Sequence, residues 1–383
     1  IVQGKHFEKL VAEADPDNEG YSRLRWQGES RSIFFRGGKL AALVELRDVD
    51  ARDEIQKLDL VTVNFIDLVN EIHRKGYSLS GRSGLDFFVE YPFINNISGN
   101  YDRNGDGEYD SSYIFRISGN NQLKLKEQIG LRGTLTLPGA IDNITVDYYP
   151  TDTVEELINR INLSGAEVAV RLNQNGQLSI KGLPAADPAY PDFVLRHLED
   201  SGQFLAGYAG ILLNSGTDGA FDWQQADAVL SLRGGDLEFA VAPLAHPAGW
   251  IEVNPALLKD PGAIAAASKS GRGAGGHGDG SAALAIAALR TDRVMIGTAS
   301  GFDEFFAAAV TEIGLKGEEA SRALETEKLV IKNLKDMRES ISGVNIDEEL
   351  TNMIKFQHGY SAGARFITEI DRMLDIIINR MGV

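Results

Sequence analysis

Apolar residues recur at steps of three and four along residues 302–381, and no proline interrupts the pattern. A break at Ser342-Gly343 divides this pattern into two parts. Spacing of this kind places a narrow apolar stripe along a helix and is typical of a coiled-coil seam. It predicts a rod helix over residues 301–341 and a terminal assembly helix over residues 342–383.

The stripe on the terminal helix predicts the surface through which the chain assembles. Several of its members are polar or small where a dimeric coiled coil would prefer leucine, which favours contacts with several neighbours over one tight pair. The predicted assembly interface consists of Ile346, Leu350, Met353, Ile354, Gln357, Tyr360, Ala364, Ile367, Leu374 and Ile377.

A second long stripe begins at Leu40 and ends before Gly76. It predicts a helix over residues 39–75, within an N-terminal region of entry strands and rod helix over residues 1–90. We expect this helix to pack along residues 302–341. The terminal helix has no such partner in the chain, so its stripe is left for absent N-terminal helices and neighbouring subunits.

Strand patterns dominate the middle of the chain and predict an inserted β-rich outer domain over residues 91–225. Within it lies a small α/β module, at about residues 133–182, with a helix capped by Thr153 and a hairpin turned by Asn175-Gly176. Residues 226–300 return to the rod as strands and a loop. The predicted fold class is therefore α+β and multidomain. A long coiled-coil-like helical rod, formed by the N-terminal part and the C-terminal helices, carries mainly β outer domains.

Charge and composition narrow the classes of partner. The chain of 383 residues carries a formal charge of -17, which disfavours nucleic acid and anionic membranes because both require a positive face. No apolar run is long enough to insert into a membrane. The absence of cysteine excludes disulfides and thiolate chemistry. Because the chain starts at Ile1 without a leader pattern, we expect an upstream part to exist.

No motif predicts an enzyme. Nucleophile elbows, phosphate-binding loops and zinc-protease motifs do not occur in the sequence. The run Gly271 to Gly276 matches a dinucleotide fingerprint by letter, but no buried strand pattern precedes it, so a loop is the better interpretation. No cofactor is required by any pattern, and the six histidines show no metal-pair spacing.

One loop resembles a calcium site. Oxygen ligands and glycine follow EF-hand spacing, although Tyr113 stands where the EF-hand has a bidentate glutamate, and no flanking helices are predicted. The alternative is a solvated turn rich in Asp and Asn. A structural calcium ion would be held by the side chains of Asp102, Asn104, Asp106 and Asp110 and by the carbonyl of Glu108.

The run from Ser340 to Arg365 contains Ser-Gly-Val-Asn-Ile-Asp-Glu-Glu, then Gln357 and Tyr360-Ser-Ala. It resembles the C-terminal signature of flagellar axial proteins. Residues 37–88, with Gly37-Gly38-Lys-Leu-Ala-Ala-Leu near their start, resemble the hook-associated members of that family. Two departures are Gly280 in place of the usual Asn, and the absence of the family's N-terminal helices.

This resemblance implies a structural subunit of the bacterial flagellum, an adapter that joins hook to filament and assembles through its terminal helices. It implies partners of four kinds: copies of the same chain in a ring, the hook protein, the next hook-associated protein and a secretion chaperone. It also implies secretion to an extracellular flagellum, or a periplasmic one if the flagellum is internal. The alternative hypothesis is a calcium-dependent surface binding module or adhesin, with residues 95–222 as the binding region.

Overall fold

The computed structural model describes residues 2–3, 6–7, 9–15, 18, 20–29, 33–90, 96, 98–233, 238–243, 246–268, 278–297, 300–342 and 345–380. The chain separates into two compact units, Ile1–Ala309 and Val310–Val383. The finer domain limits expected from the sequence remain predictions. The loop at Gly271 to Gly276 lies outside the described residues.

The N-terminal helix predicted over residues 39–75 is present as one continuous helical segment. It consists of α1 (Gly38–Glu45), a π-helical turn (Leu46–Ala51) and α2 (Arg52–Lys75). Acidic residues occupy the first turn of α2 and basic residues its last turn, which suits the helix dipole. The helix stops at Gly76, where a Cβ would lie 2.8 Å from the Cβ of Ala265. Glycine therefore lets the chain leave α2 closely packed against a neighbouring strand.

The strands of the first unit are short and antiparallel. In chain order they are β1 (Val2–Gln3), β2 (His6–Phe7), β3 (Leu10–Ala14), β4 (Ser22–Trp26), β5 (Tyr77–Ser78), β6 (Asn100–Tyr101), β7 (Ser111–Ser112), β8 (Ile114–Gln122), β9 (Gly133–Leu137), β10 (Ile144–Tyr148), β11 (Val168–Leu172), β12 (Gln177–Gly182), β13 (His197–Asp200), β14 (Phe221–Asp222), β15 (Glu238–Val241) and β16 (Ala265–Ala267).

Two four-stranded sheets, in the orders β10-β9-β13-β14 and β11-β12-β8-β15, organise these strands. The remaining strands form two-stranded pairs, β1 with β2, β3 with β4, β5 with β16 and β6 with β7. The remaining short helices of this unit are α3 (Val154–Asn162), α4 (Pro255–Lys259) and α5 (Ser281–Ala288).

The strands of the predicted module at residues 133–182 are divided between the two sheets. Strands β9 and β10 belong to one sheet and the hairpin β11–β12 to the other, and α3 connects them. The predicted cap at Thr153 is present, and it forms a capping box with Glu156 as its reciprocal partner. The predicted Asn-Gly turn joins β11 to β12. Local turn and cap signals thus formed as predicted, whereas the partners of the strands were set by distant residues.

Helix α2 packs in the interior of the first unit. Leu60 and Val63 join the main core, which extends through both sheets. Leu68, Val69 and Ile72 form a second cluster with residues of α5. At the start of residues 226–300, where strands were expected, the run Val229 to Leu232 has a strand-like pattern but forms a short 3-10 turn, Ala228–Ser231, instead.

Two long helices follow, α6 (Phe302–Ser342) and α7 (Ile346–Arg380), as the sequence predicts. At the start of α6, Phe302 and Phe305 pack against the core of the first unit. Residues 310–341 of α6 are all exposed except Lys316, which is half-buried.

The predicted coiled-coil-like rod is not confirmed. Nor is the pairing of the helix at residues 39–75 with residues 302–341, because α2 buries its apolar side chains against the sheets and α5. A coiled-coil seam is stable only when a second seam covers it. The described residues of α6 beyond 310 leave theirs uncovered. Residue 343, part of the predicted break, lies outside the described residues.

Candidate assembly interface

Helix α7 forms from strong local signals at its ends. The Asn345 side chain accepts a hydrogen bond from the Asp347 N–H at 3.2 Å. Three acidic residues fill the first turn, and Arg380 lies in the last turn. These charges complement the helix dipole. The helix therefore needs none of its apolar side chains to define where it begins.

The ten residues predicted as the assembly interface all lie on α7, and all are exposed. Ile346 and Tyr360 are 78% and 82% exposed, and Leu350, near the N-terminal end of the stripe, is 50% exposed. Among the described residues of α7, only Asn352 is even half-buried. Because exposed leucine and isoleucine carry an unfavourable contact with water, this stripe is a surface that gains free energy when another surface covers it.

A second apolar stripe on α7 was not predicted from the sequence. Phe356 and Phe366 are 78% and 67% exposed, and they do not belong to the predicted interface. With their neighbours they again repeat at alternating steps of three and four, which lie about 100° around the helix from the first stripe. The members of the second stripe are Phe356, Gly359, Gly363, Phe366, Ile370 and Met373. The signal in the sequence is a second set of apolar and small residues with the same spacing of three and four, shifted by one residue from the first set.

The loop predicted to bind calcium is held together by its own backbone. Asp102 accepts hydrogen bonds from the N–H groups of Gly105 at 2.6 Å and Gly107 at 2.8 Å. Asp110 accepts from the N–H groups of Arg103 and Asn104. Hydrogen bonds from Gly107 and its neighbours lower the pKa of the Asp102 carboxyl.

The described residues contain no group of three or more His, Asp or Glu side chains placed to hold a metal ion. Asn104 and Asp106 also accept backbone hydrogen bonds inside the same loop. This geometry is that of a turn rich in Asp and Asn, the alternative interpretation of the sequence. Calcium binding by this loop stays a prediction.

A layer of buried charges lies between α2 and the sheet β11-β12-β8-β15. No sequence motif predicted it. Asp67, 1% exposed, accepts a hydrogen bond from Arg116 Nε at 2.7 Å, and Lys181 Nζ lies 2.8 Å from its other oxygen. Lys181 also donates to Asn64 Oδ1 at 3.0 Å. Burial alone would raise the pKa of Asp67, but attraction to Arg116 and Lys181 outweighs it and lowers that pKa.

Further polar side chains of α2 bind other segments of the first unit. Asn70 accepts from the N–H groups of Phe87 and Phe88. His73 lies within 2.7 Å of the Leu85 carbonyl, and its Nε2 accepts from the Ala265 N–H at 2.9 Å. Buried polar groups require specific partners, so these bonds permit only one placement of α2.

No described helix is both long enough and apolar enough to span a bilayer. The candidate site of this chain is the pair of exposed apolar stripes on α7.

Two family models match the chain. The model described as "Flagellar hook-associated protein FlgK helical domain" matches residues 1–88. The model described as "Flagellar basal body rod FlgEFG protein C-terminal" matches residues 329–381, which contain all of α7.

Curated relatives carry the name flagellar hook-associated protein 1. The protein of Bacillus subtilis is 32% identical over 161 residues, covering 42% of this chain and 30% of the relative. That of Escherichia coli is 22% identical over 386 aligned positions, covering 99% of this chain and 57% of the relative. That of Salmonella typhimurium is 29% identical over 85 residues. The chain therefore spans less than two thirds of the length of these relatives.

Proposed function

Because this chain belongs to the family of flagellar hook-associated proteins, we propose that it is a structural subunit of the bacterial flagellum that joins hook to filament. In this role it has no catalytic activity. It assembles through α7.

The observation that carries this proposal is the exposure of both apolar stripes on α7. The segment with this exposure is the one that matches a model shared with basal-body rod proteins. A segment that resembles the C-terminal part of rod proteins is suited to contacts among axial proteins. The two stripes point about 100° apart, so one helix can contact two neighbouring helices at the same time.

We further propose four kinds of partner: copies of this chain in a ring, the hook protein, the next hook-associated protein and a secretion chaperone. The place of action is the extracellular flagellum, or a periplasmic one. The formal charge of -17 suits self-assembly of this kind, because repulsion keeps free subunits apart until apolar contacts are made.

The test places a charge within the first stripe. A strain lacking its own copy would receive the protein with Met353→Glu and Ile367→Glu, or with Arg372→Glu as the matched control. Arg372 is exposed and lies on the opposite face of α7, away from both stripes. We expect the double variant to be secreted without entering the flagellum, with loss of swimming, and the control to restore swimming.

The folded state of the first unit is checked by circular dichroism on each purified variant, which we expect to match the parent. A double variant that still enters the flagellum and restores swimming would overturn the proposal. Deletion of residues 346–383 gives a second test. It should abolish assembly while the first unit remains folded.

A further inference from the structure

Helix α3 lies where the edges of both four-stranded sheets come together. Among the described strands, β10 ends one sheet and β11 ends the other, and α3 is the segment that connects them. An edge strand presents unpaired backbone N–H and C=O groups, which are a template for pairing with a strand of another molecule. The edge strands β10 and β11 are thus both within reach of side chains on one short helix.

The side chain of Asn162, the last residue of α3, occupies the edge of β11. Its Nδ2 donates to the Val170 carbonyl at 2.9 Å, and its Oδ1 accepts from the Val170 N–H at 2.8 Å. These are the two bonds that a residue of an adjacent antiparallel strand would exchange with Val170. One amide side chain therefore stands in for a neighbouring strand.

Arg160, two residues earlier, covers one backbone carbonyl at the edge of β10. Its Nη1 donates to the Asp147 carbonyl at 2.6 Å. Two contacts with the Asp152 carboxylate, at 2.7 and 3.0 Å, hold the guanidinium in place. A bidentate pair of this kind has a fixed geometry, so the Asp147 carbonyl stays covered.

The surroundings of both edges would favour association if the edges were open. Leu163, which follows α3, is 86% exposed, and Ile141, which precedes β10, is 89% exposed. Exposed apolar side chains next to an unpaired strand are typical of sites where strands add.

We infer that α3 is an edge guard, which keeps β10 and β11 from pairing with the same strands of a second copy of this chain. The guard acts through Asn162 and Arg160, and it separates strand pairing from any association through α7. This inference does not depend on the proposed function, because it concerns the sheets of the first unit alone.

The test compares Asn162→Ala with Asn159→Ala, an exposed asparagine on the same helix. Hydrogen exchange of the peptide containing Val170 and sedimentation velocity are measured on the full chain at low and high concentration. In dilute solution, we expect Asn162→Ala to exchange about tenfold faster at Val170 than the parent chain, because its edge opens. At high concentration it should form larger species in which Val170 is protected again.

Re-protection at high concentration distinguishes strand pairing from contacts through α7, which would leave Val170 exchange fast. We expect Asn159→Ala to behave as the parent in both measurements. If Asn162→Ala sediments as the parent does at every concentration, or associates without re-protection of Val170, the inference is wrong. If Asn162→Ala fails to fold, Asn162→Ser replaces it, because serine is polar but too short to reach Val170. The same results for Val170 exchange and sedimentation are then expected, and the same results would overturn the inference.

Discussion

Helices α2 and α7 are both long, yet they use opposite means to find their neighbours. Half of the buried residues of α2 are polar or charged, and they bind groups on several other segments. Helix α7 has no buried residue, and its apolar side chains face solvent along two stripes. Hydrogen bonds and ion pairs are directional, whereas apolar contact is not. The first helix is consequently fixed in one place, and the second can accept several similar partners.

The largest difference between the two helices is expected from removing one carboxylate in each. Asp67→Ala leaves Arg116 and Lys181 without their buried counterion, and we expect it to destabilise the first unit by about 3–5 kcal/mol. The matched change Asp371→Ala on the exposed surface of α7 should stay within about 0.5 kcal/mol. Urea unfolding followed by fluorescence of the first unit's tryptophans, Trp223 among them, measures the former. A loss below 1 kcal/mol for Asp67→Ala would contradict the view that the polar layer fixes α2.

Truncating one leucine in each helix sharpens the same comparison. Leu68 of α2 is 3% exposed, and we expect Leu68→Ala to cost about 2–4 kcal/mol because it leaves a cavity. Leu350→Ala on α7 should change the free energy of unfolding by less than about 0.5 kcal/mol, since no cavity forms at an exposed site. The second substitution should instead weaken assembly, which sedimentation with partner subunits would measure. Equal losses of stability in the two variants would break the comparison.

A third prediction concerns pH. The lowered pKa of Asp67 means that the folded state holds this carboxylate ionised where the unfolded chain would bind a proton. Its contribution is therefore present above the unfolded pKa and is lost as the pH falls, by about 1 kcal/mol between pH 6 and pH 3. Urea unfolding at the two pH values should show this loss, and Asp67→Asn should lack it. Burial raises the pKa of Glu90, which gives the opposite slope, so the comparison with the variant isolates Asp67.

The smallest expected effect on the first unit comes from cutting the second. Helices without tertiary contacts are marginal in water, so we expect limited proteolysis of the monomer to cleave within residues 310–380 first. The unfolding free energy of the remaining unit should change by less than about 0.5 kcal/mol. Mass spectrometry of the digest locates the cuts. A digest in which residues 346–380 resist as long as residues 113–222 would show that α7 is already covered in the monomer.

The features that could be predicted from the sequence are those set by interactions between residues close together in the chain. Helices α2, α3, α6 and α7 and the β11–β12 hairpin were predicted because caps, turns and periodicity are local signals. The exposed stripe of α7 was predicted for the same reason. The division of the module at residues 133–182 between two sheets was not, because strand pairing depends on residues far apart in the chain.

The buried polar layer escaped prediction for a related reason. Asp67, Arg116 and Lys181 are ordinary charged residues in sequence, and only the fold brings them together. The predicted coiled-coil rod shows the reverse limit. An apolar seam in the sequence indicates that a helix packs against a partner, but it does not identify the chain that provides that partner.

The π-helical turn at Leu46–Ala51 has a consequence for how this protein can change over evolutionary time. A π turn holds more residues than an α turn, so it can absorb a single-residue insertion or deletion while the helix continues. Loss of one residue here would convert the π turn into an ordinary α turn, so the exposed Leu40 and Leu43 of α1 would keep their side of the helix while α2 kept its place. Length variation among homologues is therefore expected to concentrate in these six residues and to be absent from α2.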